Sequence, residues 1–334
     1  PNLLHNRAST LDALGCFAEA LATIEDAIAA EPEAAVNYYT RGVIHEHQGE
    51  EALAVDDYLA ALERDPHHLE TALNLAELGP LLGPGAVAGA LARLHVLQGD
   101  HPRAGVLRYA SGRLAVEQGT FAVAVRELQA AVRCDPQLGV GWYTLSMLFG
   151  MMGEFAAAAA AADRALRFFP DDTSLWLNRA QALQELRRYP EAMESYDRAI
   201  ALAPGDSLPW LQLGRLLLLD LDRVADARGA LREAHRLAPD DDNIIWLLAL
   251  CALRLGRENE AAGEIARLLA KDDHHLWGRL LSAMLNAQRQ RSDAAFADLD
   301  IVSTLGYDIS VLSAEPLFAP LKTDARFAAA FAKK

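Results

Sequence analysis

A fixed interval of 34 residues separates matching residues in the middle of this 334-residue chain. It separates three tryptophans and three prolines, which are Trp142, Trp176 and Trp210, and Pro136, Pro170 and Pro204. A period of this length is typical of a stack of identical supersecondary units, each of which packs only against its neighbours. The interval therefore predicts a repeat architecture instead of one globular core, and it directs the search for function to the inner surface of the stack.

Small residues at two fixed places define the unit. Nine units align on this period, with two small insertions in the third and seventh, starting near residues 1, 35, 69, 105, 139, 173, 207, 242 and 276. Position 20 of the unit is alanine in all nine, and position 8 is always glycine, alanine or serine. Such residues let the backbones of two antiparallel helices approach closely. The pattern therefore predicts two closely packed helices in each unit.

Glycine and proline mark the ends of these helices. Glycine at position 15 suits a left-handed residue just past a helix C-terminus, and proline at position 32 ends the second helix. Each unit is therefore predicted to be a helix, a tight turn and a second helix. The glycines are Gly15, Gly49, Gly83, Gly119, Gly153 and Gly256, and the prolines are Pro32, Pro66, Pro102, Pro136, Pro170, Pro204 and Pro239.

This unit resembles the tetratricopeptide repeat, and the resemblance runs through residues 1–309. The fifth unit carries it best, and the eighth and ninth depart from it, with Asp273 and Tyr307 at the proline position. The resemblance implies an all-α, right-handed solenoid of about nine repeats, of a bacterial type in which residues 310–334 form a C-terminal capping segment. The matching residues of the fifth unit are Trp142, Leu145, Ser146, Gly153, Phe155, Ala158, Ala165 and Pro170.

Three places depart from the regular pattern. In the third unit Pro80 is expected to cut the first helix short, and Pro84-Gly85 reads as an insertion, giving either a longer turn or a bend between units. In the seventh unit, residues 220–223 are expected to form an extended loop. In the tail, Thr323 is expected to cap a short helix with Phe327 and Phe331 on its apolar face.

Charge and hydropathy exclude several classes of partner. The net charge is −15, which argues against nucleic acid and against anionic membranes, and favours a basic or apolar partner. The longest apolar run, residues 244–253, is too short to span a bilayer. Three cysteines without CxxC spacing are expected to be free thiols, which favours a reducing, cytoplasmic location.

We find no catalytic, cofactor or metal constellation in the sequence, so the chain is predicted not to be an enzyme. His45-Glu46-His47 lacks the HExxH spacing, because residues two apart on a helix point to different sides. The pairs His67-His68 and His274-His275 lie six units apart, so they are expected to be turn residues. No glycine-rich phosphate loop follows a strand, since no strands are predicted.

The candidate binding residues follow from the resemblance. In this family the first helix of each unit lines the concave surface, which implies that positions 2, 5, 6, 9, 12 and 13 face inward. We call these positions the binding face. Its predicted contact residues are amides, aromatic rings, arginines and methionines, namely Asn6, Tyr39, Asn74, Tyr109, Arg113, Tyr143, Met147, Met151, Asn178, Gln181, Gln212, Arg215 and Trp246.

Two features of this face suggest peptide binding, each with an alternative. Polar side chains recur at position 6 and can pair with the backbone of an extended peptide, although asparagine is also simply frequent there in the family. Tyrosine, methionine and arginine cluster in units four and five and suit a partner surface, although the methionines can instead fill space between helices.

The predicted function is a scaffold or adaptor that binds a protein or peptide. One alternative is a recruiting or regulatory arm of a larger kinase or glycosyltransferase, because the chain begins at Pro1 without a cap and a segment upstream is expected. Another is a peptide or ligand sensor that bends at residues 79–85. Oligomeric state has no signature in the sequence.

Overall fold

The computed structural model describes residues 2–331, and over that range every regular element is helical. The predicted all-α fold of tandem helix–turn–helix repeats is confirmed. The chain divides after Arg187 into two compact units. The first contains α1 (Asn2–Ala13), α2 (Phe17–Ala30), α3 (Ala35–His47), α4 (Glu51–Arg64), α5 (Leu69–Glu77), α6 (Pro84–Asp100), α7 (Gly105–Glu117), α8 (Phe121–Cys134), α9 (Gly139–Met151), α10 (Phe155–Ala165) and α11 (Thr173–Glu185).

The second compact unit continues the alternation of first and second helices and ends in a tail of short helical turns. It contains α12 (Tyr189–Leu202), α13 (Ser207–Arg215), α14 (Val224–Leu237), α15 (Asp242–Arg254), α16 (Glu258–Lys271), α17 (Leu276–Gln288), α18 (Ser292–Thr304), 3-10 helices over Ile309–Leu312 and Pro316–Thr323, and α19 (Phe327–Ala330).

Small residues sit where the two helices of a repeat meet. The alanine at position 20 is at most 3% exposed in all nine repeats, and the residue at position 8 is buried in each. A Cβ atom added to Gly112 would lie 2.6 Å from Leu128 Cγ, and one added to Gly214 would lie 2.6 Å from Leu231 Cγ. The helix pairs are therefore packed as closely as the sequence predicts.

The period of tryptophan and proline has a direct structural cause. The indole Nε1 of Trp142 donates to the carbonyl oxygen of Pro136 at 3.2 Å, and Trp176 donates to Pro170 at 2.8 Å. The tryptophan at the start of one repeat thus satisfies the carbonyl left free where the previous repeat ends. In these two repeats the bond gives the shared interval of tryptophan and proline a structural basis.

The turn glycines behave as predicted, with one exception. Gly15, Gly49, Gly119, Gly153 and Gly256 all have φ between 68° and 76°. Gly83 instead has φ −67° and precedes the first turn of α6, so the prediction of a left-handed residue was wrong there. The left-handed place is filled by a non-glycine in three other turns, at Arg187, Asp222 and Gln290.

Both insertions are absorbed within helices. In the third repeat α5 ends early at Glu77, as predicted, and a 3-10 helix spans Gly79–Leu81. Pro84-Gly85 opens α6, a favourable place for proline, and lengthens that helix to 17 residues. In the seventh repeat a π-helical turn over Leu216–Asp220 takes up the extra residue. The extended loop predicted over residues 220–223 is therefore wrong at Asp220, which belongs to this turn.

The tail packs against the second compact unit through apolar side chains. Phe318 and Leu321 are fully buried, and the rings of Phe327 and Phe331 lie 4.4 Å apart, as the i, i+4 spacing predicts. Thr323 does not cap α19, because its hydroxyl donates to Pro320. The assignment of residues 310–334 as a capping segment stays a prediction, and residues 332–334 lie outside the described part of the chain.

The three cysteines differ sharply in environment. Cys16 and Cys134 are exposed, whereas Cys251 is fully buried in α15, and burial raises the pKa of its thiol to about 12. Because thiolate is the reactive form, we expect a thiol reagent such as DTNB to label two cysteines in the native protein at pH 8 and all three in denaturant. Rapid labelling of three thiols without denaturant would contradict this, and Cys251→Ala should leave the native count at two.

Candidate functional site

The predicted contact residues all lie on first helices of repeats. These are α1, α3, α5, α7, α9 and α11 in the first compact unit and α13 and α15 in the second. The structure brings some of these residues together around cavities, and it leaves others packed inside or isolated. Among the described helices, none is long and apolar enough to cross a membrane.

Four predicted residues line one cavity in the first compact unit. Met147 and Met151 come from α9, and Asn178 and Gln181 come from α11, around a volume of about 230 Å³. The side of α9 is apolar and open, since Met147 is 42% exposed and Met151 is 69% exposed. The remaining lining residues are Ser146, Gly150, Phe155 and Ala182. We call this the methionine–amide cavity.

Helical geometry explains why these side chains converge. Met147 and Met151 are four residues apart and Asn178 and Gln181 are three apart, so each pair lies on one face of its helix. Gly150 lies between the methionines, and a Cβ atom there would meet nothing within 4 Å, so the cavity mouth stays open. The result is two flexible thioethers facing two amides across neighbouring first helices.

The cavity also contains residues that the sequence assigned to other roles. Phe155, at the start of α10, is one of the residues that carry the family resemblance, and Ser146 is one of the small residues at position 8. Ser146 is 1% exposed and its hydroxyl donates to the carbonyl oxygen of Tyr143 at 2.8 Å. Both residues line the cavity, and their repeat positions give no signal of this.

Of Tyr109, Arg113 and Tyr143, the structure buries the first and leaves the other two half-buried. Tyr109 is 6% exposed, and burial raises the pKa of its hydroxyl. Tyr143 is half-buried with its ring edge-on to Phe169 at 6.4 Å, and burial raises its pKa as well. Little of the Tyr109 side chain is therefore accessible to a partner. The methionine–amide cavity is the better candidate for the binding site.

A second cavity of about 370 Å³ lies at the front of the chain. Tyr39 lines it, with its ring 5.2 Å from that of His68. The side-chain amide of Asn74 donates to the Tyr58 hydroxyl at 3.2 Å, so Asn74 is bonded within the protein. Asn6 is exposed and does not line this cavity. The other lining residues are His5, Ser9, Asp12, Val36, Thr40, Val43, His68 and Glu70.

The polar groups of this front cavity are largely paired with one another. Thr40 Oγ1 lies 3.1 Å from His5 Nδ1, and His47 Nδ1 lies 2.9 Å from an Asp12 carboxylate oxygen. Such internal pairing leaves fewer groups for a ligand than the methionine–amide cavity offers. Among residues 2–331, no cluster of three histidine, cysteine or acidic side chains could hold a metal ion.

In the second compact unit, Gln212 and Trp246 have contrasting environments. The Oε1 atom of Gln212 is buried without a hydrogen-bond partner among the described residues. Trp246 stacks on Trp277 with ring centroids 4.9 Å apart, and Trp277 meets Tyr307 edge-on at 5.9 Å. Arg215, on α13 with Gln212, is half-buried.

Comparison with known proteins identifies the repeat family. Sequence profiles described as tetratricopeptide repeat match residues 5–68 and 143–207, and a further profile of the same description matches 218–284, together more than half of the chain. No protein with a curated description shows significant sequence similarity to the chain.

Solved structures of repeat proteins are similar in fold. PilF of Pseudomonas aeruginosa is 20% identical over 62% of this chain and 92% of its own, with a TM-score of 0.50. PilW, a type IV pilus biogenesis factor, is 19% identical over 61% and 93%, with a TM-score of 0.45. The C-terminal part of a TPR protein from Cytophaga hutchinsonii covers 98% of this chain and 100% of its own at 14% identity, with a TM-score of 0.46. At these identities the similarity concerns the fold alone.

Proposed function

We propose that this chain, which belongs to the tetratricopeptide repeat family, is a non-catalytic scaffold that binds an extended segment of another protein on its first helices. Scaffolding of protein interactions is the general role that the family supports. The observation that carries the finer proposal is the methionine–amide cavity, in which four predicted contact residues from two neighbouring first helices converge.

The size of the cavity favours a single side chain of a peptide over a free small molecule. Its volume is about 230 Å³, whereas small-molecule sites usually measure about 300–1,000 Å³. Methionine side chains adapt their shape to varied apolar groups. Met147 and Met151 are therefore suited to receive one large apolar side chain of a partner.

The amides on the opposite helix supply the complementary interaction. Each of Asn178 and Gln181 can donate to a carbonyl oxygen and accept from an N–H group, which matches the backbone of an extended peptide. The net charge of −15 favours basic residues on either side of the apolar anchor. The proposed ligand is thus an extended segment with one large apolar residue flanked by lysine or arginine.

Gln212 supports the same mode of binding at a separate place in the second compact unit. A buried acceptor without a donor costs roughly 1–3 kcal/mol, and such groups are normally satisfied. Gln212 Oε1 is buried and unpartnered among the described residues, and a backbone N–H of a bound segment would satisfy it once the side chain turns outward. An amide at position 6 would then act on a peptide backbone as the sequence pattern predicts.

A peptide selection tests this proposal. A random 12-residue library displayed on phage is selected on the full chain, and the affinities of the selected peptides are measured by fluorescence anisotropy. We expect the Met147→Ala/Met151→Ala variant to weaken binding at least tenfold, which corresponds to about 1.4 kcal/mol. Gln181→Ala should weaken it severalfold, because that side chain is exposed and contributes little to folding.

Met152→Ala is the matched control, because Met152 is 44% exposed on the same segment but does not line the cavity. It should change affinity by less than twofold. Selected peptides that bind the double methionine variant as tightly as the wild type would refute the placement of the site. A library that yields no peptide at all would count against extended-segment binding itself.

A further inference from the structure

The segment that follows the last repeat lies against the binding face of the second compact unit. Position 13, one of the binding-face positions, is Leu219 in the seventh repeat, Arg254 in the eighth and Gln288 in the ninth. One of the three bonds to the segment of residues 315–317, and the other two line a cavity that this segment also lines. Leu219 and Arg254 line a cavity together with Glu315, Pro316 and Leu317, and Gln288 bonds directly to Leu317.

The bond from Gln288 shows how this surface holds a backbone. Its Nε2 atom donates to the carbonyl oxygen of Leu317 at 2.7 Å. A side-chain amide of the binding face is thus paired with the main chain of the segment. Glu315, just before the 3-10 helix, has an extended backbone with φ −62° and ψ 122°. This is the interaction that the proposed function assigns to such amides and a foreign peptide.

The segment does not fill the surface completely. The cavity that it shares with the seventh and eighth repeats measures about 510 Å³, and its other walls are Asp222 and Val224. Leu219 is 47% exposed beside it. The internal segment therefore covers the ninth repeat closely, while apolar surface remains open beside Pro316 towards the seventh repeat.

We propose that residues 315–317 are an internal ligand of this face, and that a partner segment in which proline is followed by a large apolar residue binds there by displacing them. The partner chemistry is taken from the occupant that the structure shows, Pro316 followed by Leu317. This inference rests on the proposed use of the binding face and applies it to the second compact unit.

The attachments of the segment divide into a firm part and a weak part. Phe318 and Leu321 are fully buried and anchor the tail after the segment. Beyond them, Arg326 forms an ion pair with Asp293, whose carboxylate is 97% exposed. Exposed ion pairs contribute little to stability. Release of residues 315–317 requires loss of the Gln288 bond and of Leu317 burial, without release of the Phe318 anchor.

A peptide with the sequence of residues 313–323, SAEPLFAPLKT, is the probe for this proposal. Its affinity for the full chain is measured by fluorescence anisotropy, and hydrogen exchange of residues 309–323 is followed in parallel. A tethered segment competes at an effective concentration on the order of millimolar. We therefore expect weak binding to the wild type and at least tenfold tighter binding to Leu317→Ala, in which the internal segment is loosened.

Two further variants make the result decisive. Leu317→Ala/Gln288→Ala should lose most of the gained affinity, because the bound peptide loses its amide donor, and a scrambled peptide should not bind either protein. If Leu317→Ala does not speed exchange in residues 313–317, then Leu317→Asp, which makes burial of that side chain costly, is used in the same way. Faster exchange without tighter peptide binding, or no faster exchange in either variant, would show a fixed cap and overturn the proposal.

Failure of this inference is distinguishable from failure of the proposed function. The phage-selected peptides are tested with variants of Met147, Met151 and Gln181, which lie in the first compact unit. The 313–323 peptide is tested with variants of Leu317 and Gln288, which lie in the second. Loss of one result without the other would identify which surface had been misassigned.

Discussion

Replacement of Tyr58 by alanine is expected to lower the free energy of unfolding of the first repeats by about 3–5 kcal/mol, the usual cost of removing a buried aromatic ring. Tyr58 is fully buried between α3 and α4 and packs against the backbone of Gly42. Its hydroxyl donates to Glu46 at 2.5 Å and accepts from Asn74 at 3.2 Å. The substitution would thus create a cavity and also remove a partner from two polar side chains.

A double-mutant cycle with Gly42 shows whether close packing is the cause. A Cβ atom at Gly42 would lie 2.6 Å from Tyr58 Cε1 and 2.7 Å from Cδ1, so Gly42→Ala should destabilise the wild type despite the better helix propensity of alanine. In the Tyr58→Ala background the same change should stabilise the protein, by up to about 1 kcal/mol.

Hydrogen exchange of the α3 and α4 amides is the appropriate measurement, because a repeat protein can unfold locally. Gly89→Ala, on α6, is the matched control, since a Cβ atom there meets nothing within 4 Å and the change should be neutral or stabilising. If Gly42→Ala has the same effect in both backgrounds, the close contact with Tyr58 is not what limits position 8.

The sequence predicts the repeat register well because its signals are local and strong. An alanine or glycine at a helix crossing, a glycine with positive φ and a proline after a helix each act within a few residues. The methionine–amide cavity follows from the same register, since i, i+4 and i, i+3 spacing on neighbouring first helices determines which side chains converge. These features can therefore be predicted from local sequence patterns and the repeat period alone.

The remaining features depend on how much space a neighbouring helix leaves. Tyr39, Tyr109 and Tyr143 share position 5, yet Tyr109 is 6% exposed while the other two are half-buried. The exposure of a ring at this position is therefore not determined by its place in the repeat. Likewise, one extra residue is compatible with a loop or with a helical bulge, and in the seventh repeat the structure adopts a π-helical turn over Leu216–Asp220.

The contact of the tail with position 13 could not be predicted either. Gln288 and Leu317 are 29 residues apart, and they meet only because the chain turns back after α18. No repeat pattern extends into the tail, so its path is decided by the burial of Phe318 and Leu321. The sequence shows that such a segment is apolar, but not which surface it covers.

Replacement of Asp298 by alanine is expected to lower the free energy of unfolding of the last repeat by about 3 kcal/mol. Asp298 lies on α18, and its side chain is 8% exposed. Its carboxylate accepts from three side chains of α17, namely Arg279 Nη1 at 2.9 Å, Ser282 Oγ at 2.7 Å and Asn286 Nδ2 at 3.1 Å. It is therefore the acceptor that ties the two helices of the repeat together.

The magnitude follows from what the substitution leaves behind. Breaking a buried ion pair by removing one partner usually costs about 3–5 kcal/mol, because the other charge stays buried without compensation. Arg279 retains bonds to the carbonyl and carboxylate oxygens of Asp273, so its charge is not left wholly unpaired. The lower end of the range is therefore expected. The two neutral donors, Ser282 and Asn286, add the cost of unsatisfied groups.

Tryptophan fluorescence during urea unfolding is suited to this test, because Trp246 and Trp277 stack at 4.9 Å within the same compact unit. Asp300→Ala is the matched control, since Asp300 is an exposed aspartate on the same helix and its loss should change stability by less than about 0.5 kcal/mol. Equal effects of the two substitutions would mean that net charge, not the bonds of Asp298, controls stability. A large effect of Asp298→Ala alone would establish that a polar network adds to the small-residue packing in holding the last helix pair together.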